Sequence, residues 1–170
     1  MKLFEVVGRD ALLSEDGLYR WWLSRTITAT DPLVKLVGRL VFIMLNPSTA
    51  DAKIDDRTIR RCMGFAFTFG CAEIIVVNLF GLRSKDPKAL KKSEDPVGPD
   101  NNYWIKWWTG ETKDIIAAWG SHGSHMGQDR AVLEMLRDRQ AAVHHLGLNA
   151  DGSPKHPLYL KGDSKRLVLC

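Results

Sequence analysis

Residues 40–51 have the sequence LVFIMLNPSTAD, in which an apolar run of six residues ends at an Asn-Pro pair. Continuous apolar runs rich in β-branched and aromatic residues are typical of a strand buried on both faces. Beyond the pair, apolar residues recur from Ile59 to Phe69 with a period of about 3.6, and Gly70 follows. This pattern predicts a helix with one buried face. The stretch therefore predicts a buried strand, a polar loop and an amphipathic helix.

Further strands and helices alternate along the chain. Apolar runs at 74–80, 115–119 and 142–146 predict strands, while 99–110 and 129–139 have the spacing of helices. Such alternation is typical of a parallel sheet with helices on both faces. We therefore expect an α/β fold, a three-layer α/β/α sandwich with a mostly parallel four-stranded central sheet. Aromatic residues in 99–110 are expected to bury one face of that helix.

The first 30 residues predict an antiparallel hairpin. Residues 3–7 and 19–26 are rich in strand formers, and turn formers at 14–17 separate them. In the second run, Arg20, Trp22 and Ser24 alternate with apolar residues, which predicts a strand with one solvent-facing side. We expect a single α/β domain over 1–170, with an edge hairpin over 1–30 and a core over 40–160.

Composition limits the classes of protein to consider. The chain has 170 residues, 26% charged residues and a net charge of +4, which permits nucleic acid as a partner without requiring it. No apolar run approaches the roughly 20 residues that span a bilayer. Residues Met1 to Glu5 lack the apolar segment of a signal peptide. We expect a cytoplasmic protein without a membrane partner.

Polar residues follow each predicted strand. In a parallel sheet, residues just after the strands share one edge, and ligands of open α/β sheets bind there. The segments concerned are 46–51, 78–83, 120–122 and the loop that holds His156. Asn78 ends an otherwise apolar strand, and its amide needs partners for both a donor and an acceptor, as the edge of a pyrimidine would provide. This edge is the candidate site.

Two alternative interpretations apply to individual residues of this edge. Asn46 before Pro47 is also typical of an Asx turn that ends a strand. The small polar and acidic residues that follow are also typical helix caps, and they are Ser48, Thr49, Asp51, Asp55 and Asp56.

The sequence resembles a bacterial and phage family known as domain of unknown function 1643. Four segments carry the resemblance, which covers the chain from Tyr19 to Tyr159, and they are 45–51, 55–62, 77–80 and 156–160. This resemblance alone implies no particular activity.

The order of the motifs is also similar to that of the uracil-DNA glycosylase superfamily. That resemblance implies that Asn46, in an Asn-Pro pair, holds the water that attacks the sugar C1′. It implies that Asn78 reads the pyrimidine, and that His156, in a His-Pro pair, stabilises the departing base. The implied fold is glycosylase-like, and the implied reaction is hydrolysis of an N-glycosidic bond.

We place the remaining candidate residues around these three. Asp51 or Asp55 is expected to help Asn46 position the water, which makes Asn46, Asp51, Asp55 and His156 the candidate catalytic residues. The candidate substrate-binding residues are Pro47, Ser48, Thr49, Asn78, Arg60, Arg83 and Tyr159. Arg60 and Arg83, together with Arg57 and Lys85, are expected to contact phosphate. The substrate is expected to be DNA or a nucleotide, and we expect no cofactor and no metal.

Two other functions fit parts of the sequence. Asp51, Asp55 and Asp56 cluster beside a strand end, as in enzymes that use Mg²⁺ for phosphoryl transfer or hydrolysis. The basic segment 83–92 would instead serve a non-enzymatic protein that binds nucleic acid or a nucleotide.

Overall fold

The computed structural model describes residues 2–170, which form one seven-stranded sheet and three α-helices. The strands are β1 (Phe4–Leu13), β2 (Arg20–Ala29), β3 (Arg39–Met44), β4 (Glu73–Asn78), β5 (Ile115–Ala117), β6 (Val143–His145) and β7 (Leu167–Val168). The helices are α1 (Arg57–Thr68), α2 (Asn101–Gly110) and α3 (Gln128–Arg137), and short 3₁₀ segments cover Pro87–Lys92, Ser121–Gly127 and Pro157–Tyr159. Met1, the first residue of the predicted hairpin segment, lies outside the described residues.

The sheet is mixed. Its strand order is β1-β2-β4-β3-β5-β6-β7, in which β4, β3, β5 and β6 are parallel to one another. Strand β2 runs antiparallel to both β1 and β4, and β7 runs antiparallel to β6. The predicted α/β class is confirmed. The sheet has seven strands because the hairpin β1–β2 and the additional strand β7 join the four parallel strands in one sheet. Strand β7 has two exposed residues, which is too short for a recognisable alternation.

Strand β3 is buried on both faces because helices cover both sides of the sheet. Leu40 and Phe42 pack in a cluster with α1, whereas Val41 and Ile43 pack in a second cluster with α2 and α3. All four side chains are fully buried. Each such side chain contributes roughly 1.5–3 kcal/mol through removal of apolar surface from water. The central strand thus holds the two helical layers together.

Helix α1 begins at a side-chain cap. Asp56 Oδ1 accepts a hydrogen bond from the backbone N–H of Ile59 at 2.9 Å, which satisfies one free donor of the first turn. The helix ends where Gly70 adopts a left-handed backbone with φ of 73°. Asp56 is therefore the cap among the five candidates named above.

The aromatic residues of α2 do not form its buried face. Tyr103 and Trp107 are 58% and 50% exposed, whereas Asn101, Ile105 and Thr109 are buried. Spacing by four residues places these three on one side of the helix. Asn101 belongs there because its Nδ2 donates to two backbone carbonyls at the end of β4. The expectation of a buried aromatic face is wrong for the two exposed rings.

Strand β2 contains a bulge that changes the side on which Arg20 lies. Leu12 of β1 is opposite Trp22 and Leu13 is opposite Arg20, so Trp21 is an extra residue in β2. An extra residue shifts the alternation of side chains by one position. Arg20 is consequently only 2% exposed, which corrects its expected place on a solvent-facing side.

No helix within residues 2–170 combines the length and the apolar character that crossing a membrane requires.

The packing around the bulge gives a first prediction, for which Gly98 and Gly152 are a matched pair. Both have a positive φ, of 84° and 82°, but a Cβ on Gly98 would lie 2.6 Å from Tyr19 Cδ1, and one on Gly152 would meet no atom within 4 Å. Gly152→Ala is expected to cost about 1–2 kcal/mol through backbone strain alone. Gly98→Ala is expected to cost about 1–3 kcal/mol more because of overpacking.

Urea denaturation of the two variants and the wild type measures both costs. Equal losses in the two variants would show that the close approach of Gly98 to Tyr19 does not constrain the fold.

Candidate functional site

A cavity of about 450 Å³ lies at the carboxyl ends of β3 and β4, beside the start of α1. Its size is in the range that accommodates small ligands. Five of the predicted site residues line it, namely Asn46, Ser48, Asn78, His156 and Tyr159. These residues come from three separate parts of the chain, so the fold brings together segments that are distant in sequence.

Asn46 presents its amide in one orientation. Its Nδ2 donates to the backbone carbonyls of Ser84 at 2.9 Å and of Pro47 at 3.1 Å. Carbonyl oxygens only accept hydrogen bonds, so the nitrogen must face them. The Oδ1 atom is therefore the part of this amide that remains to accept a hydrogen bond from a ligand or a water.

The amide of Asn78 is also held in one orientation, in this case by a neighbouring side chain. It is 1% exposed, and its Oδ1 accepts a hydrogen bond from Arg20 Nη2 at 3.2 Å. A guanidinium only donates, so Oδ1 must face Arg20, and the Nδ2 group is left as a donor toward a ligand. Oδ1 keeps a second lone pair for a donor of the ligand.

His156 has a preferred protonation state and tautomer. Burial lowers the pKa of its imidazole from the usual 6.5, while the negative charge of Asp56 opposes part of that shift. Its Nδ1 accepts a hydrogen bond from the backbone N–H of Leu158 at 3.3 Å. At neutral pH the ring is therefore uncharged and carries its proton on Nε2, where it is a donor.

Arg20 and Asp56 are two charged groups of the cavity wall that were not among the candidate catalytic or substrate-binding residues. Burial lowers the pKa of Arg20 to about 10, so the guanidinium stays protonated at neutral pH. The sequence predicted Asp56 as a possible helix cap or as one carboxylate of a Mg²⁺ site. Its Oδ1 is used for that cap, and its side chain also lines the cavity. A carboxylate and a guanidinium thus lie in the same wall.

Several other residues of the cavity wall belong to predicted strand ends or were missed. Ser121 and His122 lie in the segment 120–122 that the sequence placed on this edge. Lys85, which the sequence placed in the basic segment 83–92 as an expected phosphate contact, also lines the cavity. Thr58 and Asn149 were not among the candidates, and no pattern in the sequence singles them out.

The two candidate catalytic carboxylates, Asp51 and Asp55, are not part of the cavity wall. Asp55 Oδ1 pairs with the Nε of Arg25 at 2.6 Å, and Arg9 approaches its other oxygen at 3.3 Å. Asp51 Oδ1 accepts hydrogen bonds from two backbone N–H groups in the turn that follows it, which lowers the pKa of its carboxyl. Both carboxylates are engaged in the fold, and the acid that faces the cavity is Asp56.

Four candidate substrate-binding residues also lie outside the cavity wall, namely Pro47, Thr49, Arg60 and Arg83. The Nη2 of Arg60 donates to the backbone carbonyl of Asp55, and the Nη1 of Arg83 donates to that of Gly17. These two arginines support neighbouring loops. Their predicted contact with phosphate stays a prediction.

The acidic residues proposed for a metal do not converge. Asp51 closes a turn, Asp55 pairs with Arg25, and Asp56 caps α1. Among residues 2–170, no group of three or more His, Cys, Asp or Glu side chains is arranged to hold a metal ion.

Comparison with known families identifies the family of this chain. A family described as "Protein of unknown function (DUF1643)" matches residues 20–158, which is most of the chain. The chain belongs to the DUF1643 family. The matched region of DUF1643 begins at Arg20 and ends at Leu158, so it includes the whole cavity wall except Tyr159. No curated protein and no solved structure matches the chain.

The pairing of Asp55 gives a second prediction. Asp55→Ala leaves the fully buried Arg25 without its closest carboxylate, and loss of one partner of a buried pair costs about 3–5 kcal/mol. Urea denaturation measures this loss. Asp51→Asn is the control, since it retains an acceptor oxygen and is expected to cost less than about 1 kcal/mol. Unchanged stability of Asp55→Ala would contradict a structural role for the pair.

The lowered pKa of His156 gives a third prediction. The unfolded chain takes up the proton at a higher pH than the folded chain, so this group stabilises the fold above about pH 6.5. That stability is lost as the pH falls through the folded pKa. His156→Asn keeps a capping acceptor and should therefore show a weaker loss of stability between about pH 7.5 and about pH 5.

Chemical denaturation at several pH values compares the two proteins. Parallel pH profiles for wild type and His156→Asn would show that burial does not shift this histidine.

Proposed function

We propose that this DUF1643 protein hydrolyses the N-glycosidic bond of a pyrimidine-type base in DNA or a nucleotide. One observation carries the proposal, which is that Asn46, Asn78 and His156 line the same cavity. Each of these side chains offers a defined hydrogen-bonding group, and together they match the three tasks of the reaction. The similarity of their order to the uracil-DNA glycosylase superfamily supports the same conclusion.

In this proposal Asn78 recognises the base. An imide edge, as in uracil, presents one N–H donor beside a carbonyl acceptor. The Nδ2 of Asn78 donates to the carbonyl, and its Oδ1 accepts from the N–H. The hydrogen bond from Arg20 keeps the amide from exchanging these two atoms, which disfavours a base with the opposite pattern.

The attacking water lies between Asn46 and Asp56 in this proposal. Asn46 Oδ1 accepts one hydrogen bond of the water, and the carboxylate of Asp56 accepts the other. The water oxygen forms a bond to C1′ as the C1′–N bond breaks, and its released proton passes to Asp56. Asp56 replaces Asp51 and Asp55 in this role because it is the one that faces the cavity.

His156 stabilises the leaving base. The electron pair of the broken bond moves to the base, where a carbonyl oxygen gains negative charge. The Nε2–H of the neutral imidazole donates to that oxygen. A donor already fixed in place favours the transition state over the neutral ground state.

The fourth prediction tests this reaction in single-turnover assays on DNA and nucleotides that carry uracil or modified pyrimidines. Release of the free base and formation of an abasic product are expected for at least one substrate. Asp56→Asn retains a good cap and His156→Asn retains a capping acceptor. Each is expected to lower the rate about 10²–10³-fold with little loss of stability.

Glu111→Gln is the control, because it removes an exposed carboxylate outside the cavity and should leave the rate unchanged. A chelator should also have no effect, whereas metal-assisted phosphoryl chemistry would stop. Absence of base release across the whole panel would refute the reaction.

A further inference from the structure

Strand β2 carries two buried arginines that differ in how their charge is balanced. Arg25 is fully buried, and its Nε lies 2.6 Å from a carboxylate oxygen of Asp55. Arg20 is 2% exposed, and its Nη1 and Nη2 donate to the neutral oxygens of Ala50 and Asn78. Among residues 2–170, no carboxylate lies within 4.0 Å of the Arg20 nitrogens. Arg25 is compensated by the fold, and Arg20 is not.

A buried charge without a partner is costly, and proteins pair such charges or solvate them. The side chain of Arg20 has further capacity for hydrogen bonds, since its Nε is buried and has no partner. Among the carboxylates, Asp56 has the largest electrostatic effect on the pKa of Arg20, but it does not form an ion pair with the guanidinium. The position thus has an unmet requirement for negative charge.

The cavity is the place from which that charge can come. Arg20 forms part of its wall together with one other cation, Lys85, and one carboxylate, Asp56. His156 is uncharged at neutral pH and, like the Nδ2 group of Asn78, is available as a donor. A wall with more cations than anions and several donors favours a ligand that supplies oxyanions.

We propose that the cavity takes an anionic pyrimidine-type ligand, whose oxyanion neutralises Arg20. The pyrimidine part of this inference rests on the proposed function, whereas the requirement for an oxyanion rests on Arg20 alone. A phosphate or a carboxylate suits a guanidinium, because either group accepts two parallel hydrogen bonds. The oxyanion belongs to a phosphate on the sugar or to an acidic group on the base.

The fifth prediction compares charged ligands with their neutral counterparts. Uridine 5′-monophosphate against uridine tests a phosphate, and uracil-6-carboxylate against uracil tests an oxyanion on the base. Isothermal titration calorimetry of the wild type should give roughly tenfold or greater preference for the charged member of at least one pair. The pair that shows the preference identifies the source of the oxyanion.

Substitutions of Arg20 test whether this residue causes the preference for charged ligands. Arg20→Gln should lose it, and Arg20→Lys should keep part of it, because a lysine retains the charge but not the paired donors. Lys113→Gln removes an exposed cation outside the cavity and should retain the full preference. If Arg20→Gln does not fold, the comparison of the two pairs on the wild type still decides.

Equal affinity within both pairs, or no binding of any of the four compounds, would overturn the inference. A preference that survives in folded Arg20→Gln would overturn it as well. Charged-ligand binding without base release would refute the proposed reaction and leave the anionic site standing. Base release without a preference for charged ligands would support the proposed reaction and overturn the anionic site.

Discussion

Strand β3 has to bury both of its faces, and the arrangement of the other elements follows from that requirement. Its alternate side chains pack into two separate clusters, one with α1 and one with α2 and α3. A strand covered in this way has no free face for a ligand, so its carboxyl end is where polar groups become accessible. The chain leaves β3 at Leu45 and Asn46, and both residues line the cavity. The site is thus a consequence of the layering.

Hydrogen bonds that fix donors and acceptors give this cavity its chemical character. Asn46 is held by backbone carbonyls, Asn78 by a guanidinium, and His156 by a backbone N–H of its own loop. Each of these hydrogen bonds occupies one polar atom of the side chain, and the other polar atom remains available to a ligand in the cavity. Groups held in this way lose little freedom when a ligand arrives, which is the usual basis of tight and selective recognition.

The sequence predicted the features that depend on local patterns. The apolar runs of β3 and β4 are long enough to identify, and the shared edge of parallel strands led to Asn46, Asn78 and His156 as neighbours. The choice among Asp51, Asp55 and Asp56 could not be made from sequence. It depends on Arg25, which lies on β2 30 residues before Asp55, and pairing between a strand and a distant loop leaves no local signal. The two-residue β7 was missed because it is too short to show a pattern.

The bulge at Trp21 changes which side chains of β2 face each layer of the fold. One strand normally keeps a single phase, in which odd and even positions serve opposite sides throughout. Here the phase changes once, so Arg20 and Arg25 point toward the same layer although one of them is at an even position and the other at an odd position. Deleting one residue at this point would keep every amino acid that contacts the cavity and still remove a cation from it. The chemistry of the site therefore depends on the extra residue in β2 as much as on the identity of the residues in the cavity wall.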